Sequence, residues 1–319
     1  MKRQAKTQEL KISFLIAAHN EEKIIFKTLD NLSNLPYDNY EVIIGLDGCT
    51  DSTEKIVKSF EMKSKRFKHF NLNLRQGKPA VINTIIKQAT GDIVIINDAD
   101  WIFQVKDERS LNDIISIFNN PKIGGISENN ALEFSPVMES ANLGFKMVAY
   151  SGQLWYGYQK KAFTRKEEDM LYLTQPTMFL TNIFRRELYK PNVSLGDDFE
   201  RTKDIMDAGY QIVISQREDA PRFIPVYGKV SIRDLFKLKM RTSLAREQLQ
   251  ETNKMPLPKN YYLSSVFYIF KNSWKYGIKA GMMVSYWIFL TTIATFISKI
   301  KSKFKKTSTR EGWTMRAER

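Results

Sequence analysis

The stretch GDIVIINDADW, residues 91–101, decides how this chain folds. Ile93 to Ile96 form an unbroken apolar run, followed by Asn97 and then by Asp98 and Asp100. An apolar run this short, without alternation, suits a strand covered on both faces. Ligands of open α/β sheets gather outside the carboxyl ends of such strands. Two carboxylates held that close repel, which favours a cation between them. A hard divalent metal prefers oxygen ligands and meets that need. The same eleven residues also suit a plain loop with two solvated aspartates, so the rest of the chain has to decide.

Working outward, ISFLIAA (12–18) and EVIIGL (41–46) read as two more buried strands, and FKHFNLNL (67–74) as a third. Ile24, Ile25, Leu29 and Leu32 recur at helical spacing, and Pro36 closes that helix. Asp51, Ser52 and Thr53 offer N-caps to a helix around Ile56 to Phe60. RQGKPAVINTIIKQATG (75–91) reads as a loop and then a helix. Strand and helix alternating at this rhythm predict a parallel sheet with helices on both faces. Beyond about residue 107 the rhythm loosens. VMESANLGFKMVAYSGQLWYGYQ (137–159) predicts one long aromatic helix. GDDFERTKDIMDAGYQIVIS (196–215) predicts a turn, a helix ending at Gly209, and a strand. VSIRDLFKLKMRTSLAREQL (230–249) is a basic amphipathic helix.

The chain has 319 residues, enough for one large α/β domain with an appendage. Its single cysteine, Cys49, excludes an intrachain disulfide framework and suits a reducing compartment. The first apolar run is too short for a signal-peptide core or a membrane span. The net charge of +14 is unevenly placed. Residues 1–226 hold 30 basic and 30 acidic side chains, whereas residues 227–319 hold 19 and 5. The basic third also carries Ala280 to Ser298, 19 residues without a charge. Basic and apolar sequence together point to an anionic membrane surface rather than nucleic acid, for which no groove-reading motif or zinc spacing is present.

Acidic residues now recur at comparable places: Asp47 after one strand, Asp98 and Asp100 after another, Asp197 and Asp198 at the start of a helix. In this order they resemble family 2 glycosyltransferases of the GT-A fold, over roughly residues 11–250. AAHNEE (17–22) is similar to the family's opening turn, and DGCTDST (47–53) to its Asp-Gly-Ser-Thr-Asp segment. GKPAVINTIIKQATGD (77–92) is similar to its Gly-Lys helix, DAD (98–100) to its Asp-x-Asp metal motif, and LGDDFERTKDIMDAGYQIV (195–213) to the stretch that carries the base. The resemblance implies Mg²⁺ or Mn²⁺ on Asp100, assisted by Asp98. It places Ala18, His19, Glu21, Asp47, Lys78 and Asn83 around the nucleotide and makes Asp198 the catalytic base, with Asp197 replacing the usual Glu. Both acids also suit the N-terminal charges of a helix. Leu46 stands where the family has the first Asp of an Asp-Asp-Gly pair. Of the Gln-x-x-Arg-Trp motif of processive synthases only Arg241 survives, within LKMRT (238–242), where the resemblance implies a ligand for the diphosphate and the sequence equally suits one more charge on a basic helix.

Lys271, Lys275 and Lys279 recur at i, i+4 and i+8, away from Phe267, Phe270, Trp274 and Ile278, which predicts an in-plane amphipathic helix. Ala280 to Ser298 is just long enough to cross a bilayer. A single crossing would carry KIKSKFKKTSTR away from the cytosolic side, against the positive-inside tendency, which favours a monotopic or re-entrant anchor. The expected organisation is a catalytic domain over 1–250, a membrane-associating helical segment over 251–300 and a basic tail over 301–319. The expected activity is inverting, metal-dependent transfer from a nucleotide sugar, best matched by a UDP-sugar, to a hydroxyl of a membrane-borne or lipid-linked glycan on the cytoplasmic membrane face. The rivals are a polyprenyl-phosphate glycosyltransferase, a nucleotidyltransferase and a catalytically silent, membrane-bound nucleotide-binding module.

Overall fold

The structure, a computed structural model, describes residues 10–127, 135–176, 181–192, 194–251 and 260–304. The expected domain boundary near 250 runs into residues outside this set, as does most of the expected basic tail. The first half alternates as β1 (Ile12–Ala18), α1 (Ile25–Ser33), β2 (Tyr40–Asp47), α2 (Thr53–Lys63), β3 (Phe67–Leu72), α3 (Lys78–Ile85) and β4 (Ile93–Ile96). Next come β5 (Trp101–Gln104), α4 (Glu108–Ser116), β6 (Ile123–Ser127), α5 (Ser135–Met138), α6 (Leu143–Phe163), β7 (Thr164–Glu167), β8 (Met170–Leu173) and β9 (Ile183–Arg185). The chain continues through α7 (Asp197–Asp207), β10 (Gln211–Ser215), β11 (Arg222–Pro225), α8 (Ile232–Glu251), α9 (Tyr261–Ser273) and α10 (Ile278–Phe304).

Nine strands form one sheet in the order β3-β2-β1-β4-β9-β6-β10-β8-β7. β3, β2, β1 and β4 are mutually parallel, as are β6 and β10. The three-residue β9 runs antiparallel between β4 and β6, so the sheet is mixed around a parallel core. Alternate side chains of β1 feed opposite faces. Ile12, Phe14 and Ile16 pack with Ile25, Leu29 and Leu32 of α1, while Leu15 packs with Val81, Ile82 and Ile85 of α3. Each fully buried aliphatic side chain contributes about 1.5–3 kcal/mol relative to exposure, which is why these runs specify strands without polar alternation. β2 and β4 lie on opposite sides of β1, so connections diverge at β1 and open a crevice at its carboxyl end.

Three local expectations change. The long aromatic helix is broken before residue 143. Asn142 caps α6 by accepting the Phe145 N–H at 3.0 Å, and its side chain also bonds both backbone groups of Val230. Ser52 makes no side-chain cap to α2; Asp51 instead accepts the Thr53 N–H at 3.0 Å. Lys271, Lys275 and Lys279 do not share one helix. Gly277, at φ +95°, turns the chain between α9 and α10, and Trp274 lies so close to Gly281 that a Cβ there would sit 2.4 Å from the indole.

Candidate active site

The crevice at the end of β1 is the mouth of a cavity. The strand ends supply Ala18, His19, Asp47 and Asp98 to its wall. The entry to α3 supplies Arg75, Gly77 and Lys78, and the first turn of α7 supplies Asp197 and Asp198. Asp234, Leu238 and Arg241, at i, i+4 and i+7, turn one face of α8 to it. Val148 of α6, with Tyr227 and Val230, completes the far side.

Local chemistry explains how these residues are held. His19 Nδ1 donates to the Asp47 carbonyl at 2.6 Å, locking the β1 turn to the end of β2. The Asp47 carboxylate accepts the Gln76 and Gly77 N–H groups at 2.6 and 2.9 Å, which draws the loop before α3 over the cavity. Gly48 allows that approach: it has φ +63°, and a Cβ would lie 2.7 Å from the Arg75 nitrogen. Gly48→Ala is therefore expected to cost about 1–3 kcal/mol through backbone strain. Thermal denaturation tests this, and an unshifted melt would refute it. Buried Asn97 shapes the next turn by donating to the Asp98 and Trp101 carbonyls at 2.8 and 3.0 Å.

At the floor, Lys78 Nζ lies 2.7 Å from Asp98 Oδ1 and 3.9 Å from Asp197 Oδ2. Burial works against the Lys78 ammonium, yet the charges of Asp98, Asp197 and Asp198 hold its pKa above the usual lysine value. Arg201, buried one turn further along α7, holds the acid pair in place. It donates to Asp198 Oδ1 at 3.1 Å, lies 3.7 Å from Asp197, and anchors itself on the Thr181 carbonyl and Asn182 Oδ1. Asp198 keeps 30% of its side chain exposed. Burial in the recess pushes its carboxyl up, the Asp197 charge adds to this, and Lys78 and Arg201 oppose it; the balance is a pKa raised to about 6.

Residues 13–122 match the family model described as Glycosyl transferase family 2. The chain is 36% identical over 118 residues to a poly-beta-1,6-N-acetyl-D-glucosamine synthase from Staphylococcus epidermidis, covering 37% of this chain and 28% of that protein. A beta-monoglucosyldiacylglycerol synthase from Nostoc is 30% identical over 155 residues, covering 47% of this chain and 32% of its own. The chain thus spans less than a third of the length of these curated relatives. In fold it is similar to a mannosyltransferase from Pyrobaculum calidifontis solved with GDP-Man and Mn²⁺, with a TM-score of 0.54 and 19% identity over 97% of this chain and 84% of that one. The fold is GT-A.

Of the residues singled out in the sequence, Ala18, His19, Asp47, Lys78, Asp98, Asp198 and Arg241 all reach the cavity wall, the last two from beyond the matched segment. Glu21, Asn83 and Asp100 do not. Glu21 is buried beneath the β1 turn, where its N–H donates to Thr53 Oγ1 at 2.7 Å. Asn83 clamps a distant loop: its amide donates to the Asn192 carbonyl at 3.0 Å and accepts from the Asn192 N–H and the Tyr189 hydroxyl. Asp100 is 1% exposed, and its carbonyl accepts the Val226 N–H at 2.9 Å. Arg75, Tyr227 and Asp234 are cavity residues that sequence reasoning missed. The signal for Arg75 was its place three residues before the Gly-Lys helix start; the signal for Asp234 was its helical spacing from Arg241.

Among the described residues, no three His, Cys, Asp or Glu side chains converge as a metal cage. The donor chemistry nevertheless suits a hard cation. The groups at the floor are carboxylates, and they already surround one positive charge, the Lys78 ammonium.

Proposed function

We propose that this chain is an inverting, metal-dependent glycosyltransferase that moves a sugar from a nucleotide sugar, a UDP-sugar by family resemblance, to a hydroxyl of a membrane-borne or lipid-linked glycan. The observation that carries this reading is the Asp98–Lys78–Asp197–Asp198 cluster at the carboxyl edge of the sheet, beside the cationic Arg75 and Arg241. The two curated relatives, whose names describe glycan or glycolipid synthases, support the acceptor class.

Arg75, Lys78 and Arg241 bind and orient the anionic diphosphate. Asp98, the member of the Asp98/Asp100 pair that reaches the cavity, would hold Mg²⁺ or Mn²⁺, whose charge would offset that developing on the leaving diphosphate. Asp198 takes the proton of the attacking hydroxyl. The acceptor oxygen forms a bond to the anomeric carbon as the carbon–oxygen bond to the diphosphate breaks, and the nucleoside diphosphate leaves. Arg201 holds the base in place, and the recess keeps its proton affinity useful. Screening sugar nucleotides for Mn²⁺-dependent hydrolysis or transfer tests the proposal; no turnover with any donor, despite nucleotide binding, would leave a binding module.

The pH dependence has a definite sign. A carboxyl with a pKa of about 6 is protonated below that value and serves as a base only above it. Transfer should therefore rise with pH through about 6 and then level off. Asp197→Asn removes a like charge, so it should move this acidic limb to lower pH. A pH profile of kcat/KM measures both; a limb unmoved in the variant would detach Asp197 from the base.

A further inference from the structure

The C-terminal helices carry an exposed surface that the proposed chemistry does not use. Thirteen of the eighteen large apolar side chains exposed in the described chain lie between Tyr262 and Ile300. On α9, Leu263 (75% exposed), Phe267 (65%) and Phe270 share one face, and Trp274 continues it into the turn. On α10, Ile278 (74%), Met282, Tyr286, Phe289 and Phe296 (65%) recur along the length of the helix. Residues 261–304 contain six lysines and no acidic residue, and Lys271, Lys275, Lys279, Lys299 and Lys301 are exposed.

The opposite face of α10 is occupied. Ala280, Val284, Trp287, Ala294 and Ser298 are buried from one end of the helix to the other. Lys239 of α8 lies 4.3 Å from the centroid of the Trp287 ring. Trp287 also joins one apolar cluster with Phe145, Val230 and Leu235, against which Val148 and Tyr227 pack. α10 is long and apolar enough to cross a bilayer, yet from Ala280 to Ser298 one of its faces is seated on its own domain, which favours a position in the plane of a surface.

We propose that α9 and α10 form a platform that docks in the plane of an anionic bilayer surface. Exposed aromatic and aliphatic side chains enter the interfacial layer, and the lysines meet lipid phosphates. Charge selects this occupant: a second copy would bring the same lysines against themselves, whereas an anionic surface complements them. Val148, Tyr227 and Val230 belong both to the cavity wall and to the cluster beneath Trp287, so the cavity and the platform are two sides of one packed layer. Where the glycosyltransferase reading holds, that layer brings the cavity to an acceptor whose apolar part stays in the lipid.

The deciding experiment is flotation of the full chain with phosphatidylcholine vesicles, with and without phosphatidylglycerol. Wild type should float, more strongly with phosphatidylglycerol. Combined Leu263→Ser, Phe267→Ser, Phe289→Ser and Phe296→Ser should lower the bound-to-free ratio at least ~10-fold with an unchanged thermal melt. Combined Lys271→Glu, Lys275→Glu and Lys279→Glu should remove the preference for phosphatidylglycerol. In sealed membrane vesicles from expressing cells, a C-terminal tag should be cleaved from the same side as the catalytic domain. A protected tag would mean that α10 crosses. A lipid-free dimer that the serine variant dissociates, without vesicle binding by wild type, would assign the face to a second copy. Either result overturns the proposal, and none of these readouts depends on sugar transfer, so its failure is distinct from failure of the proposed activity.

Discussion

Asp198→Asn is expected to lower glycosyl transfer by at least ~10²-fold, the usual scale for losing a positioned general base, while nucleotide-sugar affinity stays near wild type. Fold loss will not mimic this result. The folded site raises the carboxyl pKa, so it disfavours the ionised form relative to the unfolded chain. Between the ordinary value of 3.8 and about 6 the folded state binds a proton that the unfolded state has released, and stability gains as pH falls through that window. At neutral pH an uncharged amide should therefore melt no lower than the parent. Isothermal titration with the donor, single-turnover transfer and a thermal melt check the three parts. A parallel loss of donor affinity would move Asp198 into the nucleotide site, and full activity would favour a phosphate acceptor that needs no base.

Asp98→Asn should have an effect of similar or greater size for a different reason. It removes the carboxylate nearest Lys78 and the one cavity-facing member of the Asp98/Asp100 pair. A cation at the leaving group supplies several kcal/mol, so the expected loss is ~10³-fold, at about 1.4 kcal/mol per factor of ten. Mn²⁺ binding followed by electron paramagnetic resonance in the presence of nucleoside diphosphate should weaken in parallel. Asp100→Asn separates the two carboxylates. Equal loss of Mn²⁺ binding means that the buried one is a ligand, whereas retained binding leaves it as a structural residue of the turn. Wild-type Mn²⁺ binding in both variants would remove the metal from the proposal.

The parallel core was legible because β1, β2 and β4 are short runs of aliphatic side chains, and such runs have little choice but to be covered on both faces. The acids that follow them were legible for the same reason: a buried strand must end, and its end is where polar groups begin. β9 was not legible as a separator of β4 and β6, because three residues carry no period. Asn83 could not be assigned from its helix, since its partners Tyr189 and Asn192 are more than a hundred residues away. Asp98 and Asp100 look equivalent in the motif, yet the Asn97 amide bends the turn and the Val226 N–H holds its far side, so only Asp98 faces the cavity. Gly277 shows the same limit: a regular lysine spacing says nothing of a left-handed residue that breaks the helix beneath it.

The insertion of β9 between β4 and β6 also sets a schedule for the newly made chain. Asp98 lies just after β4, whereas Asp197 and Asp198 follow β9, roughly a hundred residues later, and closing so wide a loop is slow compared with local pairing. The first four strands and their helices can pair while the acid pair is still being synthesised. Asp98 and Lys78 meet early, as neighbours on adjacent segments of that core. The two later carboxylates join them only when β9 docks, with Arg201 arriving on the same helix turn as the charges it has to balance. Assembly of the catalytic floor is therefore expected to be among the last events in folding, so a truncated or stalled chain would present a sheet without a base.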